Sequence, residues 1–253
     1  MTERALYDVV FYAWMGVAAA TFLLLLFVSA PYGRHARRGW GPGIGATAAW
    51  IVMEAPAALA MLVFFLLGDR RTAAVPLVFL ALWEIHYVHR TLIFPFRRRN
   101  GTPRTPLLIV LFGVLFNGVN GYLQGRWLFA LAPHPGTAWL VDPRFLLGIA
   151  LFVAGMAINV HSDEVLRRLR RPGEQGYKIP QAGLHRWVAS PNYLGEVIEW
   201  TGWAVLTWSL GGLAFVLWTA ANLVPRALSH RRWYRATFPD YPAERKAIVP
   251  FVL

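Results

Sequence analysis

Residues 46–67 read ATAAWIVMEAPAALAMLVFFLL, and their composition indicates what class of protein this is. It contains a single ionisable side chain, Glu54, among apolar and small residues. As a helix the stretch would be about 33 Å long, which is enough to cross the hydrocarbon core of a bilayer, about 30 Å thick. It therefore predicts a transmembrane helix that carries one carboxyl group at membrane depth.

Six further apolar stretches lie along the chain, each close to the length of about 20 residues that a membrane-spanning helix needs. The last two are separated only by residues 209–212, Ser-Leu-Gly-Gly, which predicts a tight helical hairpin. We found no internal repeat or linker. We therefore predict an all-α polytopic membrane protein with one domain, 1–253, and seven transmembrane helices at about 9–30, 46–67, 73–94, 106–124, 143–161, 192–209 and 211–228.

The composition agrees with a membrane location. Of the 253 residues, 57% are hydrophobic and only 15% are charged, whereas soluble domains have about 25% charged residues. The chain contains no cysteine, which excludes disulfides, thiolate metal sites and cysteine nucleophiles. The net charge of +12 would suggest nucleic acid as a partner in a soluble protein, but here the basic residues lie between apolar stretches and indicate membrane topology instead.

The distribution of Lys and Arg predicts the orientation. Nineteen of these residues fall in segments 31–45, 95–105 and 162–190 and in the tail that begins at Arg226. Five fall on the opposite side, and Arg90 lies within a predicted span. Because cytosolic segments carry the excess of basic residues, we expect the N-terminus outside and the C-terminus in the cytosol. The loop 162–190 and the tail 229–253 are then cytosolic, where a nucleotide cofactor is available.

Ionisable side chains within membrane spans are costly and therefore indicate function. Glu54 lies about eight residues from the cytosolic start of its helix, roughly 12 Å deep, and Tyr87 lies about seven residues from the cytosolic end of the next, roughly 10 Å deep. Consecutive helices with a short connection are usually neighbours. We therefore expect Glu54 and Tyr87 to meet in the cytosolic half of the protein. Helix-to-helix hydrogen bonding is the alternative explanation for single Asn and Gln residues.

Further polar residues gather where the predicted spans meet the cytosol. Asn192, Glu196 and Glu199 share one helical face by their spacing, and Asn159 and Asp163 precede a run of arginines. The arginine run suits either a phosphate clamp or simple positive-inside charge. The sequence contains no GxGxxG, P-loop, HExxH or GxSxG motif. His86 and His89 could ligate a metal, but without a Glu-x-x-His partner we expect none.

The sequence resembles the steroid 5α-reductase family over nearly the whole length of the chain. The resemblance lies in the order and spacing of WIVME at 50–54, HYVHRT at 86–91, NGYLQG at 120–125, GMAINVHSD at 155–163, LRRPGE at 169–174, YKIP at 177–180, NYLGE at 192–196, IEW at 198–200 and RKAIVPF at 245–251. The match extends to single residues of the tail: Arg226, His230, Tyr234 and Tyr241.

The resemblance implies a seven-helix membrane fold, NADPH as the hydride donor and a 3-oxo-Δ4-steroid as the substrate. It implies that Glu54 and Tyr87 address the 3-keto group of the substrate and that Trp50 lines the steroid cavity. Glu84 receives no role. The residues that it implies for cofactor binding are Asn159, Asp163, Arg170, Tyr177, Asn192, Glu196, Arg226, His230 and Tyr234.

The chemistry of an enone fits these residues. Hydride addition to C5 builds negative charge on the carbonyl oxygen, and donors aimed at that oxygen stabilise the transition state, most effectively in a dry cavity. A carboxyl at the depth of Glu54 can stay neutral and donate, and Tyr87 supplies a second O–H. The proton at C4 would arrive through Tyr87 or water.

The sequence is also compatible with three other functions. The region from Trp187 to Gly195 also resembles integral-membrane methyltransferases of isoprenylcysteine or phospholipid, which use S-adenosylmethionine. A reductase of another enone or enoyl lipid is a second alternative, and an ion-coupled transporter is a third. We expect a monomer surrounded by lipid, without a metal or nucleic acid, in a bacterial plasma membrane or, in a eukaryote, the endoplasmic reticulum.

Overall fold

Helices make up most of the protein. The computed structural model describes residues 1–37, 39–69, 71–97, 104–133, 135–169, 174 and 176–253. The helices are α1 (Glu3–Phe27), α2 (Ala46–Leu67), α3 (Ala74–Val88), α4 (Phe94–Arg97), α5 (Leu107–Arg126), α6 (Pro143–Arg168), α7 (Pro191–Thr207) and α8 (Leu210–Thr237), and a short antiparallel pair joins β1 (Gly43–Ile44) to β2 (Thr105–Pro106). Turns of π-helix cover His89–Ile93 and Trp127–Leu131, and short 3₁₀ turns cover Gly33–His35, Thr137–Val141 and Gly183–Arg186.

Six helical segments of the described chain are long and apolar enough to cross a bilayer. They are Glu3–Phe27, Ala46–Leu67, Ala74–Arg97, Leu107–Leu131, Pro143–Arg168 and Leu210–Thr237. The segment that corresponds to the sixth predicted span, α7, has 17 residues and is not among them. The all-α membrane architecture is therefore present, whereas the count of seven spans and the orientation stay predictions.

Contacts divide the chain into two compact units. The first contains residues 1–13 and 31–146, and the second contains residues 14–30 and 147–253.

In the first unit, α5 packs closely along α2 through small residues. A Cβ at Gly113 would lie 2.6 Å from Cγ of Met53, and a Cβ at Gly121 would lie 2.6 Å from Cβ of Ala60. These glycines share one face of α5 because they are eight residues apart, close to two helical turns. Small residues allow helix backbones to approach in a membrane protein, and dispersion contacts then replace the hydrophobic effect as the source of stability.

In the second unit, α6 and α7 touch backbone to backbone. A Cβ at Gly195 would lie 2.5 Å from the amide nitrogen of Asn159 and 2.7 Å from the carbonyl oxygen of Gly155. Gly148 and Gly202 form a similar contact two turns away. This contact brings the polar residues at the end of α6 next to those at the start of α7.

The turn between α7 and α8 lies where the sequence predicted it. Trp208 ends α7 in the left-handed region with φ 46° and ψ 47°. The side chain of Ser209 then caps α8 by accepting a hydrogen bond from the amide of Gly212 at 2.9 Å.

Several helices extend beyond their predicted spans. α1 begins at Glu3 rather than near residue 9, since Arg4 and Asp8 form an i, i+4 ion pair and Glu3 pairs with Arg126. α6 continues to Arg168, and α8 continues to Thr237. The apolar stretches are shorter than these helices, because the first turns of α1 and the last turns of α6 and α8 carry polar side chains.

The C-terminal segment pairs with the segment before α7. The amide of Ala189 donates to the carbonyl of Lys246 at 2.9 Å, and the amide of Ser190 donates to the carbonyl of Ala247 at 3.1 Å. The buried guanidinium of Arg245 donates to the carbonyl of Pro180 at 2.8 Å and to the side chain of Gln181. The tail therefore fixes both the loop and the start of α7.

Candidate active site

Glu54 and Tyr87 both contact Asn117 of α5. The side-chain nitrogen of Asn117 donates to Oε2 of Glu54 at 3.4 Å, and the Tyr87 hydroxyl donates to Oδ1 of Asn117 at 3.5 Å. The same nitrogen donates to the backbone carbonyl of Met53 at 2.6 Å. The structure thus places the two predicted catalytic residues on either side of one amide group, within the first unit.

Tyr87 is enclosed by rings of its own helix. It is 3% exposed, its ring centroid lies 4.8 Å from that of Trp83, and the His86 ring packs edge-on at 5.0 Å. The indole N–H of Trp83 donates to the carbonyl of Ala57 at 3.0 Å, which ties α3 to α2. A phenol held in apolar surroundings on a fixed helix is a preorganised hydrogen-bond donor.

Trp50, the predicted steroid-lining residue, lies against the π-helical turn that follows Tyr87. The guanidinium carbon of Arg90 is 4.9 Å from the centroid of the Trp50 ring and 4.5 Å from that of Phe94. The Trp50 and Phe94 rings are 5.1 Å apart. A π-helical turn adds a residue to the turn and so changes which face the following side chains occupy. Arg90, which is 9% exposed, forms a cation–π contact at this position.

Four of the predicted cofactor residues form one hydrogen-bonded group in the second unit. The buried Asn159 side chain donates to the backbone carbonyl of Asn192 at 2.9 Å and to Oε2 of Glu196 at 3.5 Å. The Asn192 side chain donates to Oδ1 of Asp163 at 2.9 Å. We call Asn159, Asp163, Asn192 and Glu196 the amide–carboxylate cluster. It exists because α6 and α7 approach each other through glycine at Gly155 and Gly195.

Arg226 and His230 of α8 face the first turn of α7. Nε of Arg226 donates to the Tyr193 hydroxyl at 3.0 Å, and the Tyr193 and His230 rings are 5.4 Å apart. Nδ1 of His230 lies 3.1 Å from Oγ of the buried Ser190. A guanidinium in this position suits a phosphate group, because it can donate two parallel hydrogen bonds.

The two remaining predicted tyrosines belong to an aromatic cluster of the tail. Tyr177 packs against Trp233 at 4.9 Å, and Tyr234, which is buried, packs against Trp233 at 5.2 Å and stacks on Tyr241 at 5.1 Å. Burial raises the pKa of the Tyr241 phenol, so this ring stays neutral. Because α8 continues to Thr237, Arg226, His230 and Tyr234 lie on one helical face at i, i+4, i+8.

Comparison with known proteins identifies the family. A family model described as 3-oxo-5-alpha-steroid 4-dehydrogenase matches residues 103–253. The protein is 44% identical to 3-oxo-5-alpha-steroid 4-dehydrogenase 1 of Bos taurus, with coverage of 100% of this chain and 99% of the relative. It is 43% identical to a steroid 5-alpha-reductase of Gossypium hirsutum, with coverage of 93% of each chain. It is 41% identical to 3-oxo-5-alpha-steroid 4-dehydrogenase 1 of Homo sapiens, with coverage of 100% and 97%.

This chain belongs to the 3-oxo-5-alpha-steroid 4-dehydrogenase family. The resemblance read from the sequence is thereby confirmed. The amide–carboxylate cluster and the α8 residues fall inside the segment that the family model matches, and Glu54 and Tyr87 fall inside the full-length match to the Bos taurus relative. The methyltransferase alternative is not favoured, since the relatives named above carry steroid dehydrogenase or reductase names. The six apolar helices and this family together indicate a multi-pass membrane protein.

The sequence raised two further expectations about ligands, a cofactor contact of Arg170 and the absence of a metal. Arg170 lies outside them, so its predicted cofactor contact stays a prediction. Within the described part of the chain, no three His, Asp or Glu side chains come together as metal ligands would. The family implies a nicotinamide cofactor.

Sequence reasoning assigned no site role to several residues that contact the predicted ones. Asn117 contacts Glu54 and Tyr87, while Tyr193 and Ser190 contact Arg226 and His230. Asn117 was recognisable as an amide at membrane depth, flanked four residues away on each side by Gly113 and Gly121. That spacing is the signal that this face of α5 packs against another helix.

Proposed function

We propose that the protein reduces the C4–C5 double bond of a 3-oxo-Δ4-steroid with NADPH. The observation that carries this proposal is the pair of groups, the Glu54 carboxyl and the Tyr87 hydroxyl, that flank one amide and can donate to one ketone oxygen. Membership of the 3-oxo-5-alpha-steroid 4-dehydrogenase family supports the reaction class, which is that of an oxidoreductase acting on a CH–CH group.

The proposed roles follow from where charge develops. When C5 of an enone accepts hydride, the electrons move to C4 and to the C3 oxygen, which becomes enolate-like. Hydrogen bonds from neutral Glu54 and Tyr87 to that oxygen strengthen as it becomes negative, so they lower the barrier rather than only binding the ketone. The enolate then takes a proton at C4, delivered through Tyr87 or by water. Trp50 would contact the apolar steroid body.

The cofactor residues have the chemistry that a dinucleotide requires. When bound, NADPH supplies the hydride that C5 receives. The carboxylates of Asp163 and Glu196, which accept from Asn192 and Asn159, are acceptors of the kind that ribose hydroxyls or a carboxamide require. Arg226 can donate to a phosphate, and so can Arg170. His230, Tyr177 and Tyr234 complete the proposed cofactor set.

We further propose that the chain works as one integral membrane reductase domain, 1–253, with seven spans. The seventh span in this proposal is α7, whose 17 residues are short for a membrane helix, and local thinning of the bilayer or polar flanks accommodate short spans. The excess of basic residues in the proposed cytosolic segments supports an outside N-terminus. We propose a monomer embedded in lipid, in a bacterial plasma membrane or, in a eukaryote, the endoplasmic reticulum.

The activity can be tested directly on the purified protein in detergent or nanodiscs. Incubation with NADPH and a Δ4-3-ketosteroid should consume the nicotinamide absorbance and yield the saturated 3-ketosteroid in equal amounts. S-adenosylmethionine in place of NADPH is the control and should give no product. Oxidation of NADPH without a saturated ketone, or a methylated product, would contradict the proposal.

A further inference from the structure

We propose that Asn117 is a positioning residue that sets the direction of the two proton donors, Glu54 and Tyr87. This inference rests on the function proposed above and goes beyond it, because Asn117 itself touches neither the ketone nor the cofactor in this scheme. The observation behind it is that one amide group contacts Met53, Glu54 and Tyr87 at once.

The amide of Asn117 is anchored by its contact with Met53. Its nitrogen lies 2.6 Å from the Met53 carbonyl oxygen, and only an N–H can face a carbonyl at that distance, since two oxygens would repel. The close packing of α5 on α2 at Gly113 and Gly121 enforces this approach. Asn117 is 5% exposed, so bulk water competes little for this bond.

Once the amide plane is fixed, its other two hydrogen-bonding positions are fixed as well. The planar group directs its nitrogen towards Oε2 of Glu54 at 3.4 Å and its oxygen towards the Tyr87 hydroxyl at 3.5 Å. The first contact favours the proton of a neutral Glu54 carboxyl on its other oxygen. The second points the Tyr87 hydrogen at the Asn117 oxygen until a ketone arrives.

The lengths of these contacts decide how they behave when a ketone arrives. The bond to Met53 is short and stays, whereas the contacts of 3.4 and 3.5 Å are at the long limit of hydrogen bonding and exchange at little cost. The Tyr87 hydrogen can therefore leave the Asn117 oxygen for the ketone oxygen at little cost in this contact. The phenol oxygen and the carboxyl stay in place while this hydrogen turns, so the donors need less reorganisation during the reaction.

Asparagine supplies both a donor and an acceptor, which neither leucine nor aspartate does. Asn117→Leu keeps the volume and removes both functions. Asn117→Asp keeps the acceptor for Tyr87 but removes the donor to Glu54 and adds a second carboxyl beside it. We expect Asn117→Leu to lower kcat about tenfold with the KM for the steroid changed less than twofold, because orientation rather than binding is lost.

The experiment is a double-mutant cycle on the full-length protein. It compares the wild type, Asn117→Leu, Tyr87→Phe and the double variant in steady-state turnover. Where Asn117 acts through Tyr87, Asn117→Leu should cost less in the Tyr87→Phe background than in the wild type. An additive loss, in which Asn117→Leu costs the same in both backgrounds, overturns the inference.

A binding measurement keeps this test separate from the proposed reaction. The infrared stretching frequency of the C3 carbonyl falls when hydrogen-bond donors engage the ketone, and a steroid labelled with ¹³C at C3 makes this band identifiable. The measurement requires no turnover. We expect a smaller fall in Asn117→Leu than in the wild type, with the thermal midpoint and the affinity for NADPH unchanged. Equal carbonyl shifts in both proteins overturn the inference. Absence of wild-type turnover would instead overturn the proposed reaction and leave the carbonyl comparison to decide the role of Asn117.

Discussion

At the scale of single residues, the site depends on a few polar groups held in apolar surroundings. Tyr87 and Asn117 are 3% and 5% exposed, and Glu54 is half-buried beside them. Because little water competes for these groups, hydrogen bonds made here to a developing negative charge are stronger than on a protein surface. The same enclosure makes the loss of one donor expensive.

Removal of the phenolic hydroxyl tests the role of Tyr87. We expect Tyr87→Phe to lower kcat about 100-fold, the usual effect of losing one oxyanion donor, while NADPH binds as before. Glu54→Gln keeps a donor and should lose less, about tenfold. Tyr12→Phe makes the same chemical change at an exposed position of α1 and should be silent. The measurement is steady-state turnover of the steroid, and full activity in both site variants would refute the assigned roles.

The amide–carboxylate cluster should control the affinity for NADPH rather than the chemical step. We expect Asp163→Asn to raise the KM for NADPH about tenfold, about 1.4 kcal/mol, because a charged acceptor for ribose or carboxamide is replaced by a neutral one. The KM for the steroid should not change. Asp240→Asn, on the exposed tail, is the matched control. A changed KM for the steroid together with a normal KM for NADPH would contradict a cofactor-binding role for Asp163.

At the scale of helices, glycine contacts determine which side chains can meet. Gly155 and Gly195 let α6 and α7 touch, and this contact brings Asn159 within reach of Asn192 and Glu196. Gly113 and Gly121 have the same effect for α5 on α2, and so for Asn117. Each polar cluster therefore depends on a neighbouring small-residue contact.

A methyl group at the α6–α7 contact should separate the helices. In Gly195→Ala the new Cβ would lie 2.5 Å from the Asn159 nitrogen, so the backbones must shift, at a cost of about 1–3 kcal/mol. We expect a thermal midpoint lower by about 5 °C and a higher KM for NADPH. Gly118→Ala in α5, where a Cβ would meet nothing within 4 Å, should be neutral or slightly stabilising. Equal midpoints for both variants would show that the contact tolerates separation.

At the scale of the whole molecule, the distribution of basic residues between the apolar helices predicts an orientation in the membrane. The sequence has no cysteine, so a single introduced cysteine is a unique chemical label. Both chain ends have exposed residues that suit such a label, at Thr2 and at Asp240.

Labelling in intact cells tests the proposed orientation. A membrane-impermeant maleimide should modify Thr2→Cys directly, and it should modify Asp240→Cys only after the membrane is permeabilised, since positive charge retains the C-terminal side in the cytosol. The unmodified wild type, which lacks cysteine, is the background control. Labelling of both positions from outside would contradict an odd number of spans.

The sequence predicted the helices well where apolar runs end abruptly. The bounds of α2 coincide with the predicted span because Gly45 and Gly68 flank a continuous apolar run. α8 was predicted to end near residue 228 but continues to Thr237, because its last turns are held by aromatic packing of Trp233 and Tyr234 rather than by an apolar sequence. Membrane hydropathy therefore locates spans better than helix ends.

The sequence predicted the site residues by depth and type but not their partners. Depth arithmetic brought Glu54 and Tyr87 to a similar level, yet it could not reveal that Asn117 lies against both. That fact depends on the rotation of α5 against α2, which is fixed by side-chain packing at Gly113 and Met53. Rotation about a helix axis is a tertiary property, and apolar composition alone does not determine it.

The central claim is that this chain transfers hydride to C5 of an enone whose oxygen is held by Glu54 and Tyr87. The most direct measurement uses NADPH deuterated at C4 of the nicotinamide, followed by NMR of the steroid product. We predict deuterium at C5 and solvent-derived hydrogen at C4, and the product that Tyr87→Phe forms more slowly should carry the same labels. Deuterium at C4 or at the C3 carbinol carbon, or no label in a saturated product, would contradict the claim.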